Sequence, residues 1–333
     1  MSWYFENGPE SDVVVSSRIR FARNIHGHKF TGSADEEELK EILKIFKTNK
    51  VVSGLKFIQL SDLDDLMRMS LVEKHIISRD VLRQKNAAML LNADEDSCVM
   101  LNEEDHIRIQ TMTPGFDLDK AYKEAKKIDD QIAEKVEYSF SDLYGYLTMC
   151  PTNLGTGMRA SVMLHLPALR MTGQIGKVID VVNKINLNVR GVYGEGTDAI
   201  GDMYQVSNKV SLGLTDEEII NNVTTIVNKL IAQERNAREY LRSKEVEFED
   251  RICRDFGTLS CARKLSYKES EQLISIVRLG VHMGLIKDID AKKVNEISVV
   301  TKPATLQKFS KETLEGTELE IKRAEMIKKI IKK

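Results

Sequence analysis

The sequence predicts an α+β chain, with strands and helices intermixed as far as about Leu241 and an almost wholly helical region after it. Two observations carry this. Ser97–Asn102 and His106–Met112 are short β-rich runs joined by the tight acidic turn Asn102-Glu103-Glu104-Asp105, which makes a β-hairpin. From about Ser243 to Lys333 strand signals become few, helical periodicity dominates, and the end KRAEMIKKIIKK is rich in lysine. With 333 residues, 42% hydrophobic and 30% charged, the chain can bury a sizeable core.

Taken in order, the β-branched run DVVVSSRI over Asp12–Ile19 predicts a strand. It carries Arg18 and Arg20 two apart, so both project from one face, either into solvent or toward an anion held between them. Ser33 with Glu36 has the spacing of a capping box ahead of a helix through Leu39, Ile42, Leu43 and Phe46. Ser61–His75 repeats the helical pattern more loosely and ends in LVEKH, where His75 is either a surface histidine or a phosphate contact. Ala87–Leu91 precedes the hairpin as a third strand, and Arg108 lies two residues into the returning hairpin strand, so acids and a cation are offered together at a sheet end.

Asp117–Val136 reads as a long amphipathic helix. Gly145–Leu166 follows, in which an apolar run ends at Cys150, a Pro-Thr-Asn-Leu-Gly-Thr-Gly turn intervenes, and Arg159 is expected to open an amphipathic helix. A strand, a Gly-rich bend and a helix start can present N–H groups and a cation to a phosphate. Ile175–Ile185 predicts another helix, Leu187–Gly194 a strand carrying Arg190 and breaking before Glu195, and Met203–Leu212 a further strand. Thr215 with Glu218 caps a long helix running to about Leu241.

Charge and cysteine usage exclude several classes. Lysines and arginines number 49 against 51 acids, a net charge of -2, so no nucleic-acid footprint covers the whole protein. Cys98, Cys150, Cys253 and Cys261 form no CxxC pair and have no histidine at ligand spacing, which argues against a structural zinc site and a disulfide framework and suits a reducing cytosol. The start MSWYFENGPESD has no basic n-region and no apolar h-region, and no apolar run approaches the ~20 residues that span a bilayer. A cytoplasmic protein without membrane contact is expected.

Arg18, Arg20, Arg108, Arg159 and Arg190 on strands or at a helix start, Glu104 and Glu195 at strand ends, and Cys150 at a proline turn form a constellation. Arginines without a GxxxxGK[ST] loop suit a triphosphate held by side-chain forks. CPTNLGTGMRASV resembles the signature of the ATP:guanido phosphotransferases, the phosphagen kinases, and SSRIR, NEEDHIR and RGVYGEGTD match that family's other blocks in order, over about Asp12–Leu241. The helical end and the phrases LVEKH and LNEEDHIRIQ resemble the family's bacterial branch that acts on arginine in proteins.

The resemblance implies a catalytic domain over 12–241, an antiparallel β-sheet flanked by helices, and a small all-helical domain over 242–333. It implies phosphoryl transfer from ATP, with Mg²⁺, to the guanidino group of arginine side chains in proteins, with no metal ligand supplied by the protein. Glu104, Glu195 and Cys150 are the implied catalytic residues, with Glu104 as base. The implied nucleotide residues are Ser16, Ser17, Arg18, Ile19, Arg20, His75, Arg108, Arg159, Ala160, Ser161, Val162, Met163, Arg190, Gly191, Val192, Tyr193, Gly194 and Glu195. Implied partners are protein substrates, a stress-response repressor, a zinc-binding activator and a second copy in a homodimer. Metabolite-directed members carry a helical domain of nearly a hundred residues before the SSRxR block; here SSRIR begins at Ser16, so an open acceptor side is expected. A kinase of free arginine and a catalytically inert adaptor are the competing readings. The branch's RDxxRA motif, which recognises phosphoarginine, is matched by Leu319-Glu320-Ile321-Lys322-Arg323-Ala324; Leu319 cannot donate to a phosphate, so weak or absent binding is expected there.

Overall fold

The computed structural model describes residues 3–48, 50–191 and 199–332. Its sheet is built from β1 (Val14–Arg23), β2 (Lys56–Gln59), β3 (Ala88–Leu91), β4 (Ser97–Leu101), β5 (Ile107–Pro114), β8 (Met158–His165), β9 (Leu187–Gly191) and β10 (Met203–Asn208). These pair antiparallel in the order β2-β3-β4-β5-β1-β8-β10-β9. A small ribbon, β6 (Phe140–Ser141) with β7 (Gly145–Tyr146), stands apart. Between the strands lie α1 (Glu36–Thr48), α2 (Asp65–Glu73), α3 (Leu118–Ala133), α4 (Pro167–Met171), α5 (Ile175–Lys184) and α6 (Asp216–Arg242). Helices α7 (Glu245–Cys261), α8 (Tyr267–His282), α9 (Ala291–Val300), α10 (Pro303–Ser310) and α11 (Gly316–Lys332) make the expected helical region.

Two-residue periodicity gives the sheet two unlike faces. Ile19 and Phe21 of β1, Ile107 and Ile109 of β5, Ala160, Val162 and Leu164 of β8, and Tyr204 and Val206 of β10 are fully buried. They belong to the core shared with α3 and α6, where each large apolar side chain contributes roughly 1.5–3 kcal/mol. The alternate positions carry Arg18, Arg20, Arg108, Gln110, Arg159, Met163 and Gln205 to the other face, where they line a cavity.

Several sequence expectations change in detail. The first strand runs to Arg23, past Ile19. Helix α1 is capped by Asp35, whose Oδ1 accepts from the backbone N–H groups of Glu37 and Glu38, and not by Ser33. Ser61–His75 divides into a short 3-10 turn and α2, which Asp64 caps. The largest correction concerns Arg159, which stands on strand β8 and opens no helix, so no helix N-terminus faces the site there. The expected hairpin is present as β4–β5, and Thr215 with Glu218 forms the expected capping box on α6.

The helical region docks on the sheet region through polar joints. Glu73, at the end of α2, accepts from the N–H groups of Ala304 and Thr305 at 2.8 Å and so caps α10. Ser275 of α8 donates to Asp202 and lies 2.9 Å from His165 Nε2. Within it, Arg323 is 1% exposed and donates from Nε to the carbonyl of Thr301 and from an Nη to that of Leu265, both at 2.9 Å. Its guanidinium therefore ties helix ends together. Arg323→Ala would strand two buried carbonyls at a cost of about 3 kcal/mol. We expect a clear fall in melting temperature, read by circular dichroism; an unchanged melt would contradict the structural role.

Candidate active site

On the polar face, Arg20 of β1 pairs directly with Arg159 of β8, and Arg108 of β5 pairs with Ala22 one pleat further on. Like charges opposite each other destabilise a sheet, so this packing needs an anion to offset it. Burial first, then Arg18, Arg108 and Arg159, press the Arg20 pKa well below the ordinary arginine value. Burial and then Arg190 and Arg108 lower that of Arg159. The buried Nε groups of Arg20 and Arg159 have no hydrogen-bond partner among the described residues. Arg18 is tied down, its Nε donating to Ser161 Oγ at 3.2 Å and an Nη to Gln205 Oε1 at 2.9 Å. An Nη of Arg159 donates to Ser207 Oγ at 2.9 Å.

These side chains, with Arg190, Gly191 and His75, line a cavity of about 390 Å³. His75 sits past the end of α2 with φ of 61°, and its carbonyl accepts from Gln110 Nε2 at 2.8 Å. Burial, then Lys302 and Arg18, hold its pKa well below the ordinary histidine value, so it enters the site as a neutral ring.

A second, smaller cavity of about 90 Å³ is lined by Glu104, Cys150, Thr152, Asn153 and Gly157, and also by Arg20, Arg108 and Arg159. The same three arginines therefore stand in both walls. The two neighbouring glutamates at the hairpin tip have different surroundings. Glu103 is buried and binds Arg108 and Ser78 Oγ, which fixes the arginine. Glu104 is exposed to the second cavity; partial burial raises its pKa and Asp105 adds to this, against the pull of Arg108. Cys150 Sγ lies 3.1 Å from Thr152 Oγ1.

A buried network aims the tip at the cysteine. Asp105 Oδ1 accepts from Asn24 Nδ2 at 2.7 Å and from the N–H of Met149 at 2.8 Å. Asn24 Oδ1 accepts from the N–H of His106, whose Nδ1 accepts from Ile25 and whose Nε2 therefore donates to the carbonyl of Lys29. The turn behind Cys150 is held by Arg23, paired with Asp129, donating to the carbonyl of Thr156 and covering the Tyr146 ring at 3.6 Å. Gly157, at φ of 66°, leaves no room for a side chain, because a Cβ would meet the backbone carbonyl oxygen of Ala22 at 2.7 Å.

The structure thus gathers Arg18, Arg20, His75, Arg108, Arg159, Met163, Arg190 and Gly191 around one cavity and Glu104 and Cys150 around its neighbour. Ser16 lines a neighbouring crevice and not the first cavity, and Ser161 orients Arg18. Ser17, Ile19, Ala160 and Val162 are buried and line neither cavity, and Ser17 Oγ instead joins Gly115 to the start of α3. Val192, Tyr193, Gly194 and Glu195 lie outside the described residues. Gln110, Gln205, Asn24, Asp105 and His106 are positioning residues that motif spacing did not reveal. Among the described residues no three His, Cys, Asp or Glu side chains gather to hold a metal, and no helix is long and apolar enough to cross a membrane.

Comparison with known proteins bears on this arrangement. Residues 37–237 match the ATP:guanido phosphotransferase C-terminal catalytic domain, and residues 245–333 match the Protein-arginine kinase McsB C-terminal domain. The chain is 44% identical over 333 residues to the protein-arginine kinase of Bacillus pumilus, covering 98% of this chain and 92% of that one. It is 44% identical to that of Halothermothrix orenii, covering 98% and 95%. Among solved structures, the duplicated taurocyamine kinase of Schistosoma mansoni with bound transition-state analogue components superposes with a TM-score of 0.61 at 28% identity, over 68% of this chain and 34% of that one. A lombricine kinase gives 0.58 at 26% identity, over 69% and 68%.

Proposed function

Because the chain belongs to the ATP:guanido phosphotransferase family and is similar almost end to end to protein-arginine kinases, we propose that it transfers the γ-phosphoryl group of ATP to arginine side chains of proteins. The observation that carries the reading is the pair of adjoining cavities whose common wall is Arg20, Arg108 and Arg159. The triphosphate occupies the larger, arginine-lined cavity; the acceptor guanidinium enters the smaller one, between Glu104 and Cys150. The phosphoryl group in flight then lies among three cations that sit in place before the reaction begins.

A guanidinium, with a pKa above ~12, is a poor nucleophile until a proton leaves it. Glu104 accepts that proton as the attacking nitrogen forms its bond to phosphorus and ADP departs with the electrons of the broken P–O bond. Glu195 is the second carboxylate of this reading. The described lining of the larger cavity holds no carboxylate, so a Mg²⁺ would enter with the nucleotide and would supply charge neutralisation on the transferring group.

The test is incubation with ATP and either casein or free arginine, with phosphoarginine read by mass spectrometry. Acid-labile phosphate on casein arginines is expected. Label on free arginine alone would make the protein a metabolite kinase, and no label on either would make it an adaptor.

A further inference from the structure

Helix α2 ends in a turn that its own sequence does not favour. The N–H of His75 donates to the carbonyl of Val72 at 2.9 Å and that of Ile76 to the carbonyl of Leu71 at 3.0 Å, which closes the helix as a Schellman motif. The left-handed position of that motif, with φ of 61°, is ordinarily given to glycine, and here a histidine holds it. A side chain in that region costs free energy and persists where the surroundings fix it. The turn carries His75 into the wall of the arginine-lined cavity, so whatever fixes the turn bears on that cavity.

The surroundings come from two sides. Gln110 of β5, itself in the cavity wall, donates from Nε2 to the carbonyls of His75 at 2.8 Å and Ile76 at 3.1 Å. On the other side the helical region grips Glu73, two residues before His75, at both ends. The Glu73 carboxylate accepts from the N–H groups of Ala304 and Thr305 and from Thr305 Oγ1, each at 2.8 Å. The Glu73 carbonyl accepts from Lys302 Nζ at 2.6 Å. One turn earlier on the same helix, Ser70 Oγ lies 3.2 Å from Thr305 Oγ1. Lys302 stands at the N-cap of α10 and makes no side-chain cap bond, so Glu73 supplies the cap that α10 lacks. The end of α2 is therefore built on a helix 231 residues further along the chain.

Lys302 also acts on the ring. After burial, its ammonium is the largest influence holding the His75 pKa below the ordinary histidine value. A neutral imidazole can donate an N–H to a phosphate oxygen without adding another cation to the crowded arginines.

We infer that Glu73 is a positioning residue for the phosphoryl donor: held on α10 by its carboxylate and its carbonyl, it sets the left-handed turn that brings His75 to the triphosphate. This rests on the reading of the arginine cavity as a triphosphate site. Glu73 lines neither that cavity nor its neighbours, so it acts on the donor through the turn and not by contact.

The test reads binding of inorganic tripolyphosphate and of ATP to the full chain by isothermal titration, alongside thermal melts and kcat with casein. Glu73→Gln keeps the shape of the side chain but sets an amide donor against the N–H groups of α10. It should weaken both ligands about fivefold to tenfold and leave kcat at saturating ATP within about twofold. In a His75→Ala background the same substitution should weaken neither ligand further, although it should lower the melting temperature as before. A purely structural Glu73 would not show that split. Thr305→Val removes one of the bonds to the carboxylate and keeps the branched shape; it should weaken both ligands about twofold to threefold, again only with His75 present, should the first variant fail to fold. A lower melting temperature with unchanged binding, or an equal loss of binding with and without His75, would overturn the inference. A parent protein that binds no tripolyphosphate would overturn it differently, by sinking the triphosphate reading itself.

Discussion

Arg20→Ala is expected to lower turnover with ATP and a protein acceptor by roughly 10³-fold or more, while the protein's melting temperature holds or rises. Both signs come from one geometry. Arg20 lies in the wall common to the two cavities, opposite Arg159 and near Arg18 and Arg108, and its Nε has no partner among the described residues. In the free protein its charge is a liability, since burial and three neighbouring cations oppose it. Bound triphosphate gives that charge a first counterpart, and the phosphoryl group in flight through the common wall a closer one, so part of the stabilisation falls on the transition state. Arg20→Lys keeps the charge but loses the planar fork and should fall between the two. Rates are measured by initial velocity at saturating ATP and stability by thermal melts without nucleotide. A loss of activity matched by a large loss of stability would show Arg20 to be a structural residue.

What the sequence disclosed and what it concealed divide along the range of the interactions. The hairpin tip and the Thr215–Glu218 capping box are local, set by residues within a few positions of each other, and both stand in the structure. Arg159 misled because a glycine-rich turn before it resembles a helix start. The period-2 alternation of β8, with Arg159, Ser161 and Met163 on one face and Ala160, Val162 and Leu164 on the other, was nevertheless present in RASVML. Asn24 with Asp105 is 81 residues apart, so their joint aiming of the hairpin left no spacing to read. The same holds for the larger cavity, whose walls come from residues 18 to 205.

The second large effect separates two adjacent glutamates. Glu104→Gln should reduce kcat about 10²- to 10⁴-fold with little change in KM for ATP, because Glu104 lines the acceptor cavity and not the larger one. Its raised pKa predicts an acid limb in the rate profile above the ordinary glutamate range, since the base must be ionised to take the proton; Glu104→Gln should abolish that limb. The stability sign follows from the same shift. A carboxyl whose pKa is higher folded than unfolded opposes folding as pH rises through that folded value, so Glu104→Gln should melt no lower than the parent at neutral pH. Glu103 runs the other way. Burial alone would raise its pKa, but Arg108 and Ser78 override this and hold it below the ordinary value. Its contribution is present above the unfolded pKa and fades as pH falls through the lowered folded one, so Glu103→Gln should melt lower at neutral pH and lose activity through the freed Arg108. Paired melts and pH–rate profiles of the two variants decide the assignment: a surviving acid limb in Glu104→Gln, or its disappearance only in Glu103→Gln, would move the base from Glu104 to its neighbour.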